Sequence, residues 1–156
     1  MQPKQLLETN QYLTFNLNDE IFALNISQVR EVLEVDTINK VPKMPSFMCG
    51  VINLRGNVVP VVDMSLKFGM PEIEKTVNTC IIIIEISIEK ENVMLGAMVD
   101  SVKEVMTIDE ESIEPPPKIG ASLNTDFIRG MGKHNEEFII LLNLNKVFSP
   151  SELSLI

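Results

Sequence analysis

The sequence predicts an all-β chain built from two small barrels in tandem, and three observations support this prediction. Short runs rich in β-branched residues are separated by turn signals along most of the 156 residues. The motifs of the first half recur in the same order in the second half. Hydrophobic residues make up 45% of the chain, which suffices for a core, but each half alone is too small to bury its apolar surface. Short strands with frequent turns favour closed barrels over open sheets.

The first predicted element is a β-hairpin. Polar and apolar residues alternate over residues 11–17, and a second strand returns over residues 20–25. Asn18 and Asp19 between them form a turn signal, because both side chains tolerate left-handed backbone angles. Residues 1–10 carry no strong pattern and are expected to be an extension that precedes the domain.

A short helix is predicted after this hairpin. Asn25 or Ser27 can cap its first turn, because their side-chain oxygens can accept from free backbone N–H groups. Val29, Val32 and Leu33 have the i, i+3, i+4 spacing of a single apolar stripe. The pattern therefore predicts about two helical turns from Ser27 to Leu33.

The segment from Gly50 to Asp63 predicts the hairpin around which the rest of the chain is organised. Two apolar, β-branched runs flank Arg55, Gly56 and Asn57. Gly56-Asn57 is predicted as the tight turn, because both residues tolerate positive φ. Arg55 is then a cation held at the tip of a stiff hairpin beside apolar surface, and binding sites are often built in this way.

The remaining elements are predicted from apolar periodicity and turn residues. A mostly polar stretch is the best candidate for the crossing between the two halves. The predictions are a short turn or helix over residues 64–68, the crossing over residues 71–78, strands over residues 79–88 and 93–99, a short helix or bent strand over residues 100–106, strands over residues 127–131 and 138–144, and a short helix within residues 145–156.

The two halves of the chain resemble each other. Val29 and Val102 lie 73 residues apart in matching motifs of the form Val-basic-Glu-Val. Two Arg-Gly dipeptides, which begin at Arg55 and Arg129, lie 74 residues apart, and a dense apolar strand follows each of them. The alignment therefore predicts an Arg-Gly turn in both halves, and it indicates two similar β units in tandem.

The matched valines have two possible roles. If the two units face each other, their Val-basic-Glu-Val motifs would line a groove that accepts an amphipathic helix. Val32 and Val105 are expected to be core residues, whereas the spacing alone leaves Val29 and Val102 open between core and groove. Arg55, taken in isolation, favours an ordinary solvated turn charge.

The composition favours a binding protein over an enzyme. A net charge of −9 argues against nucleic acid and anionic membranes as partners, because both need a basic face. Cys49 and Cys80 are expected to be reduced packing thiols, and the single histidine, His134, has no metal-ligand spacing around it. The acidic residues between 100 and 114 are expected to be solvated, and no phosphate-binding loop or nucleophile motif occurs. We therefore expect no catalytic activity, cofactor or metal.

A specific combination of motifs runs from about Gln11 to Phe148. The motifs are Ala23-Leu-x-Ile-x-x-Val-Arg-Glu-Val32, Pro42-x-x-Pro45, Gly50-Val-Ile-Asn-Leu-Arg-Gly-x-Val-Val-Pro-Val-Val-Asp63, Phe68-Gly69, Gly96-x-x-Val-Asp-x-Val and Phe127-Ile-x-Gly-x-Gly. Together they resemble the CheW family of bacterial chemotaxis coupling proteins. The resemblance implies two five-stranded SH3-like β-barrels packed as one domain over residues 11–148. The barrels could interchange strands at their ends, and residues 1–10 and 149–156 would be terminal extensions.

The resemblance also implies a non-catalytic adaptor. Such an adaptor would couple the cytoplasmic tip helices of methyl-accepting chemoreceptors to the regulatory domain of the histidine kinase CheA. That regulatory domain has the same two-barrel fold as the adaptor. By resemblance, receptor contacts would include Val29, Glu31, Gly50 and Arg55, with Val99 and Val102 on the other wall of the groove, and kinase contacts would include Ile38, Cys49 and Val58 on the first barrel and Ile119 on the second. Lys118 departs from the acid expected there, and Cys49 replaces a commonly longer polar or basic residue.

Three alternatives remain open from the sequence. The chain could be the coupling domain of a CheV-type protein, although no second α/β pattern follows it before Ile156, or a fragment of the CheA regulatory domain. A small acidic β-barrel hydrolase that uses Asp100 and Glu104 is a third alternative, from a different class. The longest apolar run is too short to span a bilayer. Without a targeting segment we expect the chain in the cytoplasm, and the resemblance implies a monomer that reaches the inner face of the membrane through receptor arrays.

Overall fold

The computed structural model describes residues 10–116 and 125–149, which form two five-stranded curled sheets and confirm the predicted all-β class. The strands are β1 (Gln11–Leu17), β2 (Glu20–Asn25), β3 (Val29–Glu34), β4 (Met48–Leu54), β5 (Asn57–Asp63), β6 (Cys80–Ile88), β7 (Glu91–Val99), β8 (Ser101–Thr107), β9 (Ile128–His134) and β10 (Glu137–Leu142). Two short helices, α1 (Met64–Lys67) and α2 (Leu144–Val147), follow β5 and β10. Short 3-10 turns lie at Ile26–Gln28, Glu110–Ser112 and Thr125–Phe127.

Each sheet combines strands from both sequence repeats. The first sheet has the order β8-β1-β2-β10-β9, and the second has the order β3-β6-β7-β5-β4. Replacing every strand of one sheet by its counterpart five strands along the chain gives the other sheet. The β1–β2 hairpin thus completes the sheet of the second repeat, and the β6–β7 hairpin completes the sheet of the first. Each exchanged hairpin is joined by one parallel pair, β2 with β10 and β7 with β5.

The segment predicted as a helix after β2 is a strand, so that prediction was wrong. Asn25 does cap a single 3-10 turn, because its side chain accepts from the backbone N–H of Ser27. The chain then extends at Val29 as β3, which pairs antiparallel with the very apolar strand β6. Burial along β3 alternates with a period of two, as in a strand. The pairing of β3 with β6 has therefore outweighed a weak helical preference, which rested on the spacing of only three apolar residues.

This change of secondary structure also moves two valines to the surface. Val32 and Val105, which were expected in the core, are 41% and 48% exposed. In a helix Val32 would share a buried stripe with Val29, whereas along β3 half-buried and exposed residues alternate and Val32 is one of the exposed ones. Val29 and Val102 are half-buried instead, and both pack against the main core.

The turn of the central hairpin lies one residue earlier than predicted. Arg55 and Gly56 occupy the two turn positions, with φ of 51° and 90°. Asn57 already pairs with Leu54 as the first residue of β5. The Asn53 side chain also accepts a hydrogen bond from the Gly56 N–H at 2.9 Å. Two-residue turns with left-handed backbone match the twist of hairpin strands, so Arg55 carries a positive φ that glycine or asparagine usually takes.

The second Arg-Gly dipeptide is not a turn, so the 74-residue alignment was wrong. Arg129 and Gly130 lie inside β9, and Gly130 is the counterpart of Gly50 in β4. A Cβ at Gly50 would lie 2.2 Å from the Asn39 carbonyl oxygen, and one at Gly130 would lie 2.9 Å from the Glu114 carbonyl oxygen. Both glycines therefore allow the backbone of another segment, at Asn39 or at Glu114, to approach the sheet closely.

One core joins the two sheets and the crossing between the repeats. Phe15 and Phe22 of the first sheet stack with ring centroids 5.8 Å apart, and Phe22 stacks on Phe68, which follows α1, at 5.7 Å. Ile73 of the crossing is buried in the same core. The seam between the barrels is therefore filled by side chains from both repeats.

Candidate functional site

An ion pair joins two of the predicted site residues on the second sheet. Arg55 at the β4–β5 turn donates to the Glu31 carboxylate on β3. The Arg55 side chain is 69% exposed and that of Glu31 is 30% exposed. An ion pair this exposed contributes about 0–1 kcal/mol to folding, because water screens it. Both groups are therefore held in position without being required for the fold.

Partly exposed apolar surface lies beside this pair. Val29 is two positions before Glu31 on β3, and both residues are half-buried, with a one-residue shift in the pairing of β3 with β6 between them. Val29 pairs with Ile84 and packs against the core while staying half-buried. Val102 occupies the corresponding position on β8 of the other sheet, where it pairs with Phe15. Val29 and Val102 thus serve both as packing and as surface residues.

Two residues predicted for the receptor groove do not present side chains to it. Val99 is completely buried, because the last five residues of β7 are covered on both faces. The prediction that Val99 lines a groove wall was therefore wrong. Gly50 is also buried, and the Asn39 carbonyl occupies the space where a side chain would begin. Gly50 shapes the backbone behind the β4–β5 hairpin and contributes no side-chain contact.

An apolar depression lies on the outer face of the same sheet. Val58 is 70% exposed there, and it is one of the residues predicted for kinase contact. Met94 of the neighbouring strand β7 is 39% exposed. We call this surface the Val58 patch, and its lining residues are Val41, Met44, Val51, Val58, Pro60, Val93, Met94 and Leu95. Exposed apolar clusters of this kind are typical of protein contact sites.

The other predicted kinase-contact residues have mixed positions. Ile38 and Cys49 are half-buried and pack against the core. They lie near the point where Asn39 forms an isolated antiparallel bridge with Val51 of β4. Ile119 lies outside the described residues. The second barrel carries its own exposed apolar residue, Phe138, at the position that corresponds to Val58.

The Cys49 thiol is held in its protonated form. Burial raises its pKa to about 11, and the negative charge of Asp63 acts in the same direction. A thiol with an ordinary pKa near 9 is about 10% ionised at pH 8, whereas this thiol is about 0.1% ionised. The structure therefore gives Cys49 a packing role.

We expect Cys49 to react with iodoacetamide about 100-fold more slowly in the folded protein than in denaturant at pH 8, because the thiolate is the nucleophile. Labelling rates followed by mass spectrometry in a Cys80→Ser variant isolate the Cys49 thiol. The rate in the folded protein should rise about tenfold per pH unit as far as pH 10. Equal rates in the folded and denatured protein would contradict this description of the site.

Metal binding and membrane insertion find no support in the described ranges. Within residues 10–116 and 125–149 there is no group of three or more His, Cys, Asp or Glu side chains that could hold a metal ion. His134 is exposed at the end of β9. No helix in this part of the chain is both long and apolar enough to cross a bilayer.

Comparison with known proteins identifies the family to which this fold belongs. The family model of the CheW-like domain matches residues 11–152. The chain belongs to the CheW-like domain family. It is 30% identical to the chemotaxis protein CheW of Klebsiella aerogenes over 94% of this chain and 86% of that protein. It is 35% identical to the chemotaxis protein CheW of Rhizobium meliloti over 90% of this chain and 87% of that protein.

A solved structure of a CheW-like protein agrees with the fold. The crystal structure of the scaffolding protein TtCheW from Thermoanaerobacter tengcongensis matches with a TM-score of 0.80 and 36% identity. The match covers 92% of this chain and 94% of that chain. The two curled sheets described above are therefore the CheW-like fold.

Sequence reasoning singled out Val58 but missed most of the residues that surround it in the Val58 patch. Val41 and Met94 line the Val58 patch, although they are distant from Val58 in sequence. The parallel pairing of β5 with β7 brings Met94 to this face, and a sequence pattern carries no signal for that pairing. Alternation along β5, in contrast, could have placed Val58 and Pro60 together on one face.

Proposed function

We propose that this chain is a non-catalytic chemotaxis adaptor that couples the cytoplasmic tips of chemoreceptors to the regulatory domain of the kinase CheA. The observation that carries the proposal is the solvent-accessible ion pair between Arg55, at the tip of the β4–β5 hairpin, and Glu31 of β3, the strand that also carries half-buried Val29. Relatives named as chemotaxis proteins and a structural neighbour named as a scaffolding protein support it. The adaptor would act in the cytoplasm, at the inner face of the membrane through receptor arrays.

The Glu31–Arg55 pair suits the recognition of a receptor helix. An amphipathic helix offers apolar residues at i, i+3 and i+4 with charged residues beside them. Val29 and Val102 would contact the apolar stripe, while Arg55 and Glu31 would fix its register through opposite charges. Arg55 is well suited to this role, because its guanidinium has several N–H donors. It can donate to a carboxylate of the receptor helix either in place of Glu31 or at the same time as Glu31.

The Val58 patch suits the kinase. The CheA regulatory domain shares the two-barrel fold, so the two proteins would pair barrel to barrel with apolar contact at the centre. Val58 and Met94 are exposed in the free chain and would be buried in that contact. Burial of a valine side chain contributes about 1.5 kcal/mol or more. Ile38 and Cys49 would support the patch from below, and Ile119 would serve a second contact on the other barrel.

The Arg55→Ala substitution tests the receptor surface. We expect it to weaken binding to a receptor tip fragment about tenfold, because a charge-assisted contact is lost, while the melting temperature stays within about 2 °C. Binding is measured by isothermal titration calorimetry, and thermal stability by circular dichroism.

The matched control is Arg30→Ala. Arg30 precedes Glu31 on β3 and forms an ion pair with Glu85 of the neighbouring strand β6 instead of with Glu31. The control removes the same charge from the same sheet and should leave receptor binding unchanged within about twofold. If both variants bind the receptor as the natural protein does, the Glu31–Arg55 surface is not the receptor site.

A further inference from the structure

An acidic basin that shares no residue with the two proposed contact surfaces lies where three chain segments meet. The β1–β2 turn contributes Asp19, the crossing after α1 contributes Glu72 and Glu74, and the β7–β8 junction contributes Asp100. Together they surround an open depression of about 470 Å³. We use the name acidic basin for these four carboxylates and the Ser65 floor described below.

The basin is held rigid from three directions. The backbone N–H of Asn18 donates to the Asp100 carboxylate at 2.8 Å, which fixes the β1–β2 turn against the β7–β8 junction. The Asn18 amide also contacts the Met70 sulfur at 3.2 Å. The buried Asp63 carboxylate accepts from the Ile73 N–H at 3.1 Å and fixes the crossing. The acidic residues are therefore brought together by the fold before any ligand arrives.

A buried hydroxyl lies at the floor of the basin. Ser65 is only 3% exposed, it lines the depression, and its hydroxyl has no hydrogen-bond partner among the described residues. Buried polar groups are nearly always paired, and a hydroxyl left alone beside a polar depression indicates a missing partner. Asp19, Glu72 and Glu74 likewise form no ion pair within the described ranges.

These observations define the chemistry of the missing partner. Carboxylates accept hydrogen bonds only, and a serine hydroxyl can also accept, so the ligand must be a donor with positive charge. The carboxylates are spread around the depression and do not form a metal-binding group. A planar guanidinium with five N–H donors matches such a spread set of acceptors better than a compact ion does.

We propose that the acidic basin binds the guanidinium of an arginine on a polypeptide partner. The arginine would extend across the depression, pair with Glu72 and Glu74 at its rim, and donate to the Ser65 hydroxyl at its floor. This site goes beyond the proposed coupling function, because it adds a third, cation-specific contact to the chain.

The experiment is an NMR titration of the full chain with a tri-arginine peptide. We expect shifts to concentrate at the backbone amides of Asn18, Asp19 and Asp100 and of Thr76, which also lines the depression. A tri-citrulline peptide, which has the same shape without the charge, should give no saturable shifts. Acetyl-arginine-amide should shift the same amides at higher concentration, which distinguishes one guanidinium from an extended peptide.

Two sets of variants test the assignment. The double substitution Glu72→Gln/Glu74→Gln should weaken tri-arginine binding about tenfold, whereas Glu89→Gln/Glu91→Gln on the β6–β7 hairpin changes net charge equally and should change it less than twofold. Ser65→Ala should weaken binding about threefold without lowering the melting temperature, because the hydroxyl has no partner to lose. Equal loss in both double variants, or shifts spread over all acidic surfaces, would reduce the interaction to general charge attraction and overturn the proposal.

The outcome can be separated from that of the coupling function. Glu72→Gln/Glu74→Gln should leave binding to receptor and kinase fragments unchanged, whereas Arg55→Ala should leave tri-arginine binding unchanged. Loss of arginine binding with intact coupling supports two independent sites. No arginine binding with intact coupling would overturn the basin alone.

Discussion

Asp63→Ala should destabilise the protein by about 2–4 kcal/mol. One oxygen of the buried carboxylate accepts from the Leu66 N–H at the start of α1, and the other accepts from the Ile73 N–H in the crossing, both at 3.1 Å. Loss of a helix cap costs about 1 kcal/mol, and a buried N–H left without an acceptor costs about 1–3 kcal/mol. Burial raises the pKa of Asp63, while these backbone N–H groups oppose that shift. One side chain therefore ties the central hairpin, α1 and the crossing together.

The repeat offers a matched control for this prediction. Asn143 precedes α2 as Asp63 precedes α1, but its side chain makes no capping hydrogen bond. Asn143→Ala should therefore cost less than about 1 kcal/mol. Urea denaturation followed by circular dichroism gives both free energies of unfolding. Similar losses in the two variants would show that the double hydrogen bond of Asp63 is not what holds the crossing.

Val58→Asp should weaken binding to the CheA regulatory domain at least about 100-fold. The side chain is 70% exposed in the free chain, so the substitution should change the free energy of unfolding by about 1 kcal/mol or less. In the proposed contact, however, the new carboxylate would be buried among apolar residues without a partner, which costs several kcal/mol. A loss of about 2.8 kcal/mol in binding free energy corresponds to 100-fold in Kd.

Val77→Asp provides the matched control for the Val58 patch. Val77 lies in the crossing and is 96% exposed, so this variant adds the same charge and removes the same side chain away from the patch. Titration of both variants with the purified regulatory domain should show a change of less than about twofold for Val77→Asp. Unchanged affinity in Val58→Asp would remove the Val58 patch from the kinase contact and leave the receptor surface untouched.

Local sequence signals predicted most of the strands correctly, because strand periodicity and turn residues act over few residues. Residues 11–17 and 20–25 form β1 and β2 as predicted, and the turn between them has positive φ at Asn18 and Asp19. The failures occurred where local and long-range preferences compete. The valine spacing after Asn25 suits a helix, but the partner strand β6, about fifty residues further along the chain, makes it a strand.

The candidate site was predicted only in part, because some of its features depend on local sequence and others on long-range pairing. Arg55 at a hairpin tip follows from local turn chemistry, but its pairing with Glu31 depends on how β3 and β4 are arranged in the folded sheet. Val99 was assigned to a wall of the groove by resemblance to the CheW family. The structure covers both faces of that part of β7, since the other sheet packs over it.

By itself the sequence determined that the chain is all-β, that its two halves are related, and that its chemistry favours binding. Those properties depend on residue type and short spacing. Only the tertiary structure decided that each sheet borrows a hairpin from the other repeat, that Val58 and Met94 share one patch, and that Ser65 lies beneath four carboxylates. The physical reason is that each repeat is too small to bury its apolar surface alone, so pairing between distant strands sets which residues become neighbours.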